Sequence, residues 1–141
     1  MTRQGPFPNI VQVADVALND SDKTLTVPAG KEWRLQFLRI GLVTTATVGT
    51  RNIRVTIKDD GGNTLWQRDF PATQAASLTR TYLLAADMPN DAGFDSAGII
   101  RMEQSAFVLP AAYAIQVLDF NAVDAAADDM TLRLLVEEMT D

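Results

Sequence analysis

The chain has 141 residues, 47% of them hydrophobic and 21% charged, with a formal net charge of −6 and neither cysteine nor histidine. This length and balance are typical of one globular domain with its own core, and the acidic excess argues against nucleic-acid binding, which depends on neutralising phosphates. Without cysteine and histidine, the chain cannot form disulfides, Ser-His or Cys-His nucleophile pairs, or zinc sites built on nitrogen or sulfur ligands.

Residues 1–9 are predicted to form an extended N-terminal arm, because Gly5, Pro6 and Pro8 exclude a helix. This segment has no apolar stretch of the kind found in a signal peptide. No apolar run elsewhere approaches the ~18 residues that a membrane-spanning helix needs. We therefore expect a soluble protein that is made in the cytoplasm and is not secreted, with residues 10–141 forming a single domain.

The rest of the chain alternates apolar and polar residues in short runs, the pattern of β-strands joined by turns. The predicted strands are 10–18, 23–27, 32–44, 51–58, 64–70, 77–84, 99–103 with 106–109, 113–120 and 130–138. In the third strand, the face of Trp33 and Phe37 gives way to the opposite parity at Ile40. This change predicts either a β-bulge at Phe37–Leu38 or a segment buried on both faces. Residues 85–98 are predicted to be a surface loop.

The turns indicate how the strands are arranged. Residues 59–63 contain Gly61 and Gly62, which accept the positive φ of a hairpin turn. Pro28-Ala29-Gly30 and Pro110-Ala111-Ala112 each end one strand and lead into another that begins on an aromatic residue. Equivalent corners in the two halves of a jelly roll would repeat in this way. The sequence therefore predicts an all-β fold, an antiparallel jelly-roll β-sandwich of about eight strands with an extended N-terminal arm.

Acidic clusters are the remaining candidates for chemistry. They are Asp59–Asp60, Asp124 to Asp129, and the group Asp87, Asp91 and Asp95. Carboxylates suit Ca²⁺, but no cluster has the alternating spacing and terminal Glu of an EF-hand loop, so ordinary turns are the preferred interpretation. Two carboxylates could also converge for glycoside hydrolysis, and nothing in the sequence favours this. We expect no enzymatic activity, no catalytic residue, no metal site and no cofactor.

The charges are unevenly distributed. Six bases and one acid lie between Lys31 and Lys58, whereas seven acids and one base lie between Asp119 and Asp141. Two interpretations remain open: solvated sheet faces that differ in sign, or complementary surfaces that meet between copies of the protein or on a charged assembly. Arg34 and Arg54, from the basic segment, are candidate partner-binding residues.

Apolar residues supply three further partner-binding candidates. Most aromatic side chains lie beside inward-facing aliphatic ones, which favours core packing over a sugar-stacking groove. Trp66 is different, because it follows Leu65 and neighbours in a strand face opposite ways. One of the two is therefore expected on the outer face, where it would mark an interface or a second packed layer. Phe7 and Ile10, in and beside the arm, could insert into a partner, or the arm could be a disordered terminus.

Five segments carry a family resemblance. They are LTVPAGKEW (25–33), DGGNTL (60–65), LPAAY (109–113), IQVLD (115–119) and DAAADDM (124–130). These segments resemble small jelly-roll proteins found among the virion genes of tailed bacteriophages, and the resemblance covers most of residues 20–138. They are turns and strand ends rather than catalytic motifs. The second corner departs from the pattern, because Ala112 stands where glycine is expected.

The resemblance implies a structural virion protein, in particular a capsid cement or decoration protein that binds the outside of the head. Such proteins clamp neighbouring major capsid subunits. The implied partner is therefore the major capsid protein, the implied assembly is a homotrimer, and the implied location is the capsid surface, with no membrane or nucleic-acid partner. Two alternatives remain open: a carbohydrate-binding β-sandwich module for attachment to host-surface glycans, and a tail or head-to-tail structural component.

Overall fold

A computed structural model describes residues 9–19, 22–85, 98–104 and 107–140, which contain ten β-strands and no helix. The strands are β1 (Asn9–Asn19), β2 (Lys23–Thr26), β3 (Lys31–Val43), β4 (Ile53–Lys58), β5 (Thr64–Asp69), β6 (Thr79–Ala85), β7 (Ile99–Glu103), β8 (Val108–Leu109), β9 (Ala114–Asp119) and β10 (Asp129–Thr140). Their ends agree with the predicted strands to within two residues. Most of the predicted arm (1–8) and of the predicted loop (86–97) lies outside the described residues, and within those residues nothing helical could cross a bilayer.

The strands form two sheets that pack face to face. The larger has the order β1-β10-β3-β6-β7, with β8 also pairing with β3, and the smaller has the order β2-β9-β4-β5. All neighbours are antiparallel except β6 and β7. Without β7 and β8, the two sheets are β1-β10-β3-β6 and β2-β9-β4-β5, the strand order of a jelly roll. The predicted jelly-roll sandwich is confirmed, and β7 and β8 are additions to the connection between β6 and β9.

The core lies between the two sheets, where alternate residues of each strand face inward. In β4, for example, Ile53, Val55 and Ile57 are at most 3% exposed. The facing strands of the larger sheet contribute fully buried side chains as well, among them Leu38, Ile40, Leu42, Leu132 and Leu134. Burying one such side chain contributes about 1.5–3 kcal/mol relative to leaving it in water.

A β-bulge at Gln36 changes the phase of β3. Val136 of β10 lies opposite Leu35, and Leu135 lies opposite Phe37, so Gln36 has no partner in this ladder. The bulge that the sequence predicted near Phe37–Leu38 is confirmed, one residue earlier. Because of the extra residue, Leu35 and Leu38 both face the core, and Phe37 points to the outer face of the larger sheet. The expectation that Phe37 shares the inner face with Trp33 is therefore wrong.

The two Pro-Ala corners are structural equivalents. Each is closed by a backbone hydrogen bond of 3.2 Å, from Lys31 N to Pro28 O in one and from Tyr113 N to Pro110 O in the other. Their third residues have the same left-handed conformation, with φ of 74° at Gly30 and 70° at Ala112. The corners also touch, because Val27 N donates to Tyr113 O at 2.8 Å and Ala112 N donates to Val27 O at 2.9 Å. Residues far apart in sequence thus repeat one local structure at one end of the sandwich.

Replacing Ala112 by glycine should raise the free energy of unfolding by about 0.5–1 kcal/mol, measured by urea denaturation. A side chain in the left-handed region costs about 1–2 kcal/mol, and the greater freedom of glycine in the unfolded chain offsets part of that gain. Gly30→Ala is the matched control. No atom lies within 4 Å of the Cβ it would add, so its expected loss reports backbone strain alone. A loss of stability in Ala112→Gly would contradict this account.

Candidate protein-binding surface

A buried ion pair ties together the loops at the end of the sandwich opposite the Pro-Ala corners. Arg51 Nε donates to Asp128 Oδ2 at 2.7 Å, and both side chains are fully buried. Arg51 Nη1 donates to the carbonyl oxygens of Thr47 and Gly49, while Asp128 Oδ1 accepts from the backbone N–H of Thr45. The hydrogen bond to Asp128 raises the pKa of Arg51 above its ordinary value. The pair is therefore a structural clamp between loops.

The acidic clusters within the described residues serve as turn and loop contacts. Asp124 accepts hydrogen bonds from the hydroxyls of Thr45 (2.6 Å) and Thr47 (2.9 Å), which lower its pKa. Asp59 accepts from the side-chain and backbone N–H groups of Asn63 within its own hairpin turn, and these bonds lower the pKa of Asp59. Among the described residues, no group of three or more acidic side chains is placed to hold a metal ion. The Asp87, Asp91 and Asp95 cluster lies outside the described residues.

Gln74 and Tyr82 form a second buried network behind the ion pair. The Tyr82 hydroxyl donates to Gln74 Oε1 at 2.9 Å, and Gln74 Nε2 donates to Leu42 O at 3.0 Å. The backbone of Gln74 also exchanges two hydrogen bonds with that of Arg51, at 2.8 and 2.9 Å. Burial raises the pKa of Tyr82 from 10.0 to about 12, because the phenolate is the form that desolvation disfavours.

The thermal midpoint should therefore fall more steeply between pH 10 and 12 in the parent protein than in Tyr82→Phe. The unfolded chain releases the tyrosine proton near pH 10 and the folded chain near pH 12. The stabilisation due to this raised pKa is thus complete below pH 10 and is lost as the pH rises through 12. Lysine titration is common to both proteins and cancels in the comparison. Identical pH profiles would contradict the assignment.

The basic and acidic segments of the sequence meet within one chain, because β3 pairs with β10. Lys31 Nζ lies 3.9 Å from Glu138 Oε1, and the indole N–H of Trp33 donates to Glu138 Oε2 at 2.9 Å. Together with the Arg51–Asp128 pair, these contacts pair some residues of the basic segment with acidic residues of the other segment within the same chain. Neither sequence interpretation, solvated faces or surfaces meeting between copies, included this arrangement.

The structure brings together two of the five predicted partner-binding residues. Ile10 on β1, 57% exposed, lies opposite Glu137 on β10, and Glu137 lies opposite Arg34 on β3. This row is on the outer face of the larger sheet, where Arg34 is also exposed. Phe7 lies outside the described residues. The other two candidates belong to the smaller sheet.

Arg54 and Trp66 both have partners within the chain. Arg54 Nε donates to Asp69 Oδ1 at 2.6 Å, a bond that raises the pKa of Arg54 and lowers that of Asp69. The Arg54 guanidinium also lies over the Phe120 ring, 3.9 Å from its centroid. Trp66 is half-buried against Phe107, with ring centroids 4.9 Å apart, whereas its neighbour Leu65 is 57% exposed. Of the described aromatic residues, only Phe120 is more than half exposed.

A second group of residues on the outer face of the larger sheet was not among the partner-binding residues predicted from the sequence. Next to the row of Ile10, one row holds Gln12, Leu135 and Phe37, and the following one holds Ala14, Arg133 and Arg39. These six residues are named the arginine face. A hollow of about 230 Å³ lies within it, lined by Gln12, Phe37, Arg39, Arg133, Leu134 and Leu135.

Arg39 and Arg133 are directly opposite each other in the ladder between β3 and β10. Neither forms a salt bridge with a carboxylate of the described residues, unlike Lys31, Arg51 and Arg54. Like charges in this position destabilise a sheet unless another charge compensates them. An apolar hollow beside two such guanidinium groups suits a carboxylate attached to an apolar group, and its lining residues include neither a nucleophile nor an acid-base pair.

β1 forms the edge of the sheet beside the arginine face. It pairs with β10 along one side, and along the other it has no partner strand among the described residues. Its sequence, NIVQVADVALN, contains no lysine, arginine or proline, and Asp15 is its single charge. Edges without such residues readily accept an added strand from another chain. The arginine face is thus continuous with an edge that is suited to protein contact.

No family model matches the sequence, and no curated protein does. Among solved structures, a chain of turnip yellow mosaic virus is similar at 11% identity and a TM-score of 0.36, covering 98% of this chain and 84% of that one. A chain of infectious bursal disease virus, Gx strain, has 10% identity and a TM-score of 0.32, covering 96% and 32%. A Bacillus endospore appendage, described as a disulfide-linked pilus, has 14% identity and a TM-score of 0.25, covering 91% and 89%. All three scores are below 0.5, and the fold assignment rests on the strand order alone.

Proposed function

We propose that this chain is a non-enzymatic structural subunit of a virus particle, in particular a capsid decoration or cement protein of a tailed bacteriophage. The observation that carries the proposal is the arginine face. On this sheet surface, apolar side chains lie beside two guanidinium groups, and neither guanidinium group forms a salt bridge with a carboxylate of the described residues. Such a surface suits binding to another protein rather than conversion of a substrate.

Two further features support this proposal. Jelly rolls are a recurrent architecture of viral capsid proteins, although a fold alone does not define a function. The segments 25–33 and 109–113, which carry the resemblance to phage virion proteins, contain the two corners that bond to each other. The proposed partner is the major capsid protein on the outside of the head, the proposed assembly is a homotrimer, and Phe7 in the arm is a proposed additional contact.

A cement protein stabilises a lattice because it binds the assembled state and not the dissociated subunits. At a free concentration 100 times its dissociation constant, each occupied site adds about 2.7 kcal/mol to the assembled state. The subunit must itself be rigid for this gain to resist shearing of the lattice. The buried Arg51–Asp128 pair and the Gln74–Tyr82 network provide such rigidity at the loop end.

The test uses capsids of the encoding virus that have been assembled without this chain. Adding the purified protein should give saturable binding at a fixed copy number and should raise the calorimetric midpoint of the capsids. Native mass spectrometry of the free protein tests the trimer. Absence of binding would contradict the proposal, and saturable binding without stabilisation would favour the alternative role in host-glycan attachment.

A further inference from the structure

We infer that the arginine face binds an acidic, apolar polypeptide segment of the partner protein. Carboxylates of that segment engage Arg39 and Arg133, and an aliphatic side chain enters the hollow between Phe37 and Leu135. This inference deepens the proposed function and rests on it for the source of the segment, the capsid. The chemistry of recognition rests on the surface itself.

Charge complementarity identifies the sign of the partner. The chain has a net charge of −6, yet two arginines of this face lie side by side without a carboxylate partner among the described residues. No carboxylate lies in the row of Arg39 and Arg133. Those on the same face are Glu32 opposite Met139, Glu137 opposite Arg34, Asp129 opposite Val43, and Glu103, which lies beyond Ala85 at the far end of the row of Phe37. A carboxylate between Arg39 and Arg133 would remove their repulsion and form charge-assisted hydrogen bonds that are roughly twice as strong as neutral ones.

The hollow identifies the apolar part of the partner. Its volume of about 230 Å³ is below the roughly 300 Å³ at which pockets for small molecules begin, and its apolar lining residues are Phe37, Leu134 and Leu135. A single side chain of a peptide fits such a space better than a free metabolite does. The bulge at Gln36 is what places Phe37 in this position, because it turns that ring away from the core.

The position of the edge strand favours an extended segment. In the row of Arg39 and Arg133, the residue on β1 is Ala14, so only a methyl group lies between the sheet edge and Arg133. A strand added along β1 would place alternate side chains on the outer face, next to Gln12 and Ala14. An acidic side chain beside Ala14 would then lie two strands from Arg133, within reach of its guanidinium group. Residues of the segment that continue across the face would reach Arg39 and the hollow.

If the arginine pair serves binding, replacing one arginine should have opposite effects on the stability of the free protein and on its affinity for the partner. Because the two like charges face each other when no partner is bound, Arg133→Gln should raise the thermal midpoint of the free protein by about 1–3 °C. The same variant should bind the partner less tightly. If the pair were purely structural, the substitution would lower the midpoint, and that result would overturn the inference.

The direct test titrates the full chain into fluorescent ten-residue peptides and follows their anisotropy. Peptides that alternate leucine with glutamate, leucine with lysine, and serine with glutamate separate the contributions of charge and apolar contact. We expect the leucine–glutamate peptide to bind the most tightly and the leucine–lysine peptide not to bind. Arg39→Gln or Arg133→Gln should weaken the first complex at least about tenfold, close to 1.4 kcal/mol.

Lys58→Gln is the matched control, because it removes one positive charge from β4 in the other sheet. It should change the affinity for the leucine–glutamate peptide less than twofold. An equal effect of Lys58→Gln, equal binding of acidic and basic peptides, or no binding of the leucine–glutamate peptide at millimolar concentration would each overturn the inference. Equal binding of the serine–glutamate peptide would overturn the role of the hollow.

The same variants in the capsid assay distinguish the inference from the proposed function. Capsid binding that is unaffected by Arg39→Gln and Arg133→Gln would refute the inference and leave the proposed function intact. Specific peptide binding without capsid binding would refute the proposed function and leave the inference intact. Parallel losses in both assays, with Lys58→Gln unchanged, would support both.

Discussion

Arg51→Met is expected to lower the free energy of unfolding by about 3–5 kcal/mol, measured by urea denaturation at neutral pH. The substitution removes the cation from a fully buried pair and leaves the Asp128 carboxylate without its charged partner. It also removes the donor to the carbonyl oxygens of Thr47 and Gly49. The cost of an unpaired buried charge, rather than the strength of the pair, makes this effect large.

A double-mutant cycle tests that explanation. Arg51→Met combined with Asp128→Leu removes both charges. The double variant should therefore be no less stable than Arg51→Met alone, and its loss of unfolding free energy should be much smaller than the sum of the two single losses. The Thr45 N–H that Asp128 accepts from remains without its partner, so full recovery is not expected. Additive losses would show that the two residues contribute independently, contrary to this account.

Trp33→Ala is expected to cost a further large amount, about 3–5 kcal/mol, because it opens a cavity between the sheets. Trp33 is 2% exposed, lies between β8 and β10, and donates its indole N–H to Glu138. Denaturation can be followed by the fluorescence of Trp66. The fall in stability should appear as an earlier denaturation midpoint with an unchanged slope.

Trp66→Ala is the matched comparison for Trp33→Ala, because it removes the same side chain from a half-buried position. It should cost clearly less, since the ring already contacts water and buries less surface than Trp33, although its contact with Phe107 is lost. Trp33→Phe should also cost less, because it retains most of the ring volume and loses the hydrogen bond to Glu138. Equal losses for the two alanine variants would contradict the difference in burial.

Strands and turns could be predicted because their determinants are local. The alternation of Ile53, Val55 and Ile57 fixes the inner face of β4, and the turn after it requires glycine, since Gly62 has a φ of 82°. The bulge in β3 was also visible as a change of parity. Parity alone did not show which way Phe37 points, because the exact position of the extra residue decides whether this side chain faces the core or the outer face.

The candidate surface could not be predicted, because it depends on register between distant strands. Arg39 and Arg133 are ordinary arginines in sequence, and only the pairing of β3 with β10 makes them neighbours. Arg54, selected for its charge, is paired with Asp69 across a hairpin. The buried Lys23 gave no signal either, although it donates hydrogen bonds to Ala17 O and Asn19 Oδ1, both at 2.8 Å. Contacts with residues distant in the sequence decide which charged side chains are paired within the fold and which are not.

The order of strands in the larger sheet also has a consequence for biosynthesis. β10 is the last described strand in sequence, yet it lies inside this sheet and is the partner of both β1 and β3. While the ribosome is still translating residues 129–140, β1 has no neighbour in its sheet and the apolar side of β3 lacks part of its cover. Folding of this sheet must therefore await the synthesis of residues 129–140, and apolar surface of β1 and β3 remains exposed until then.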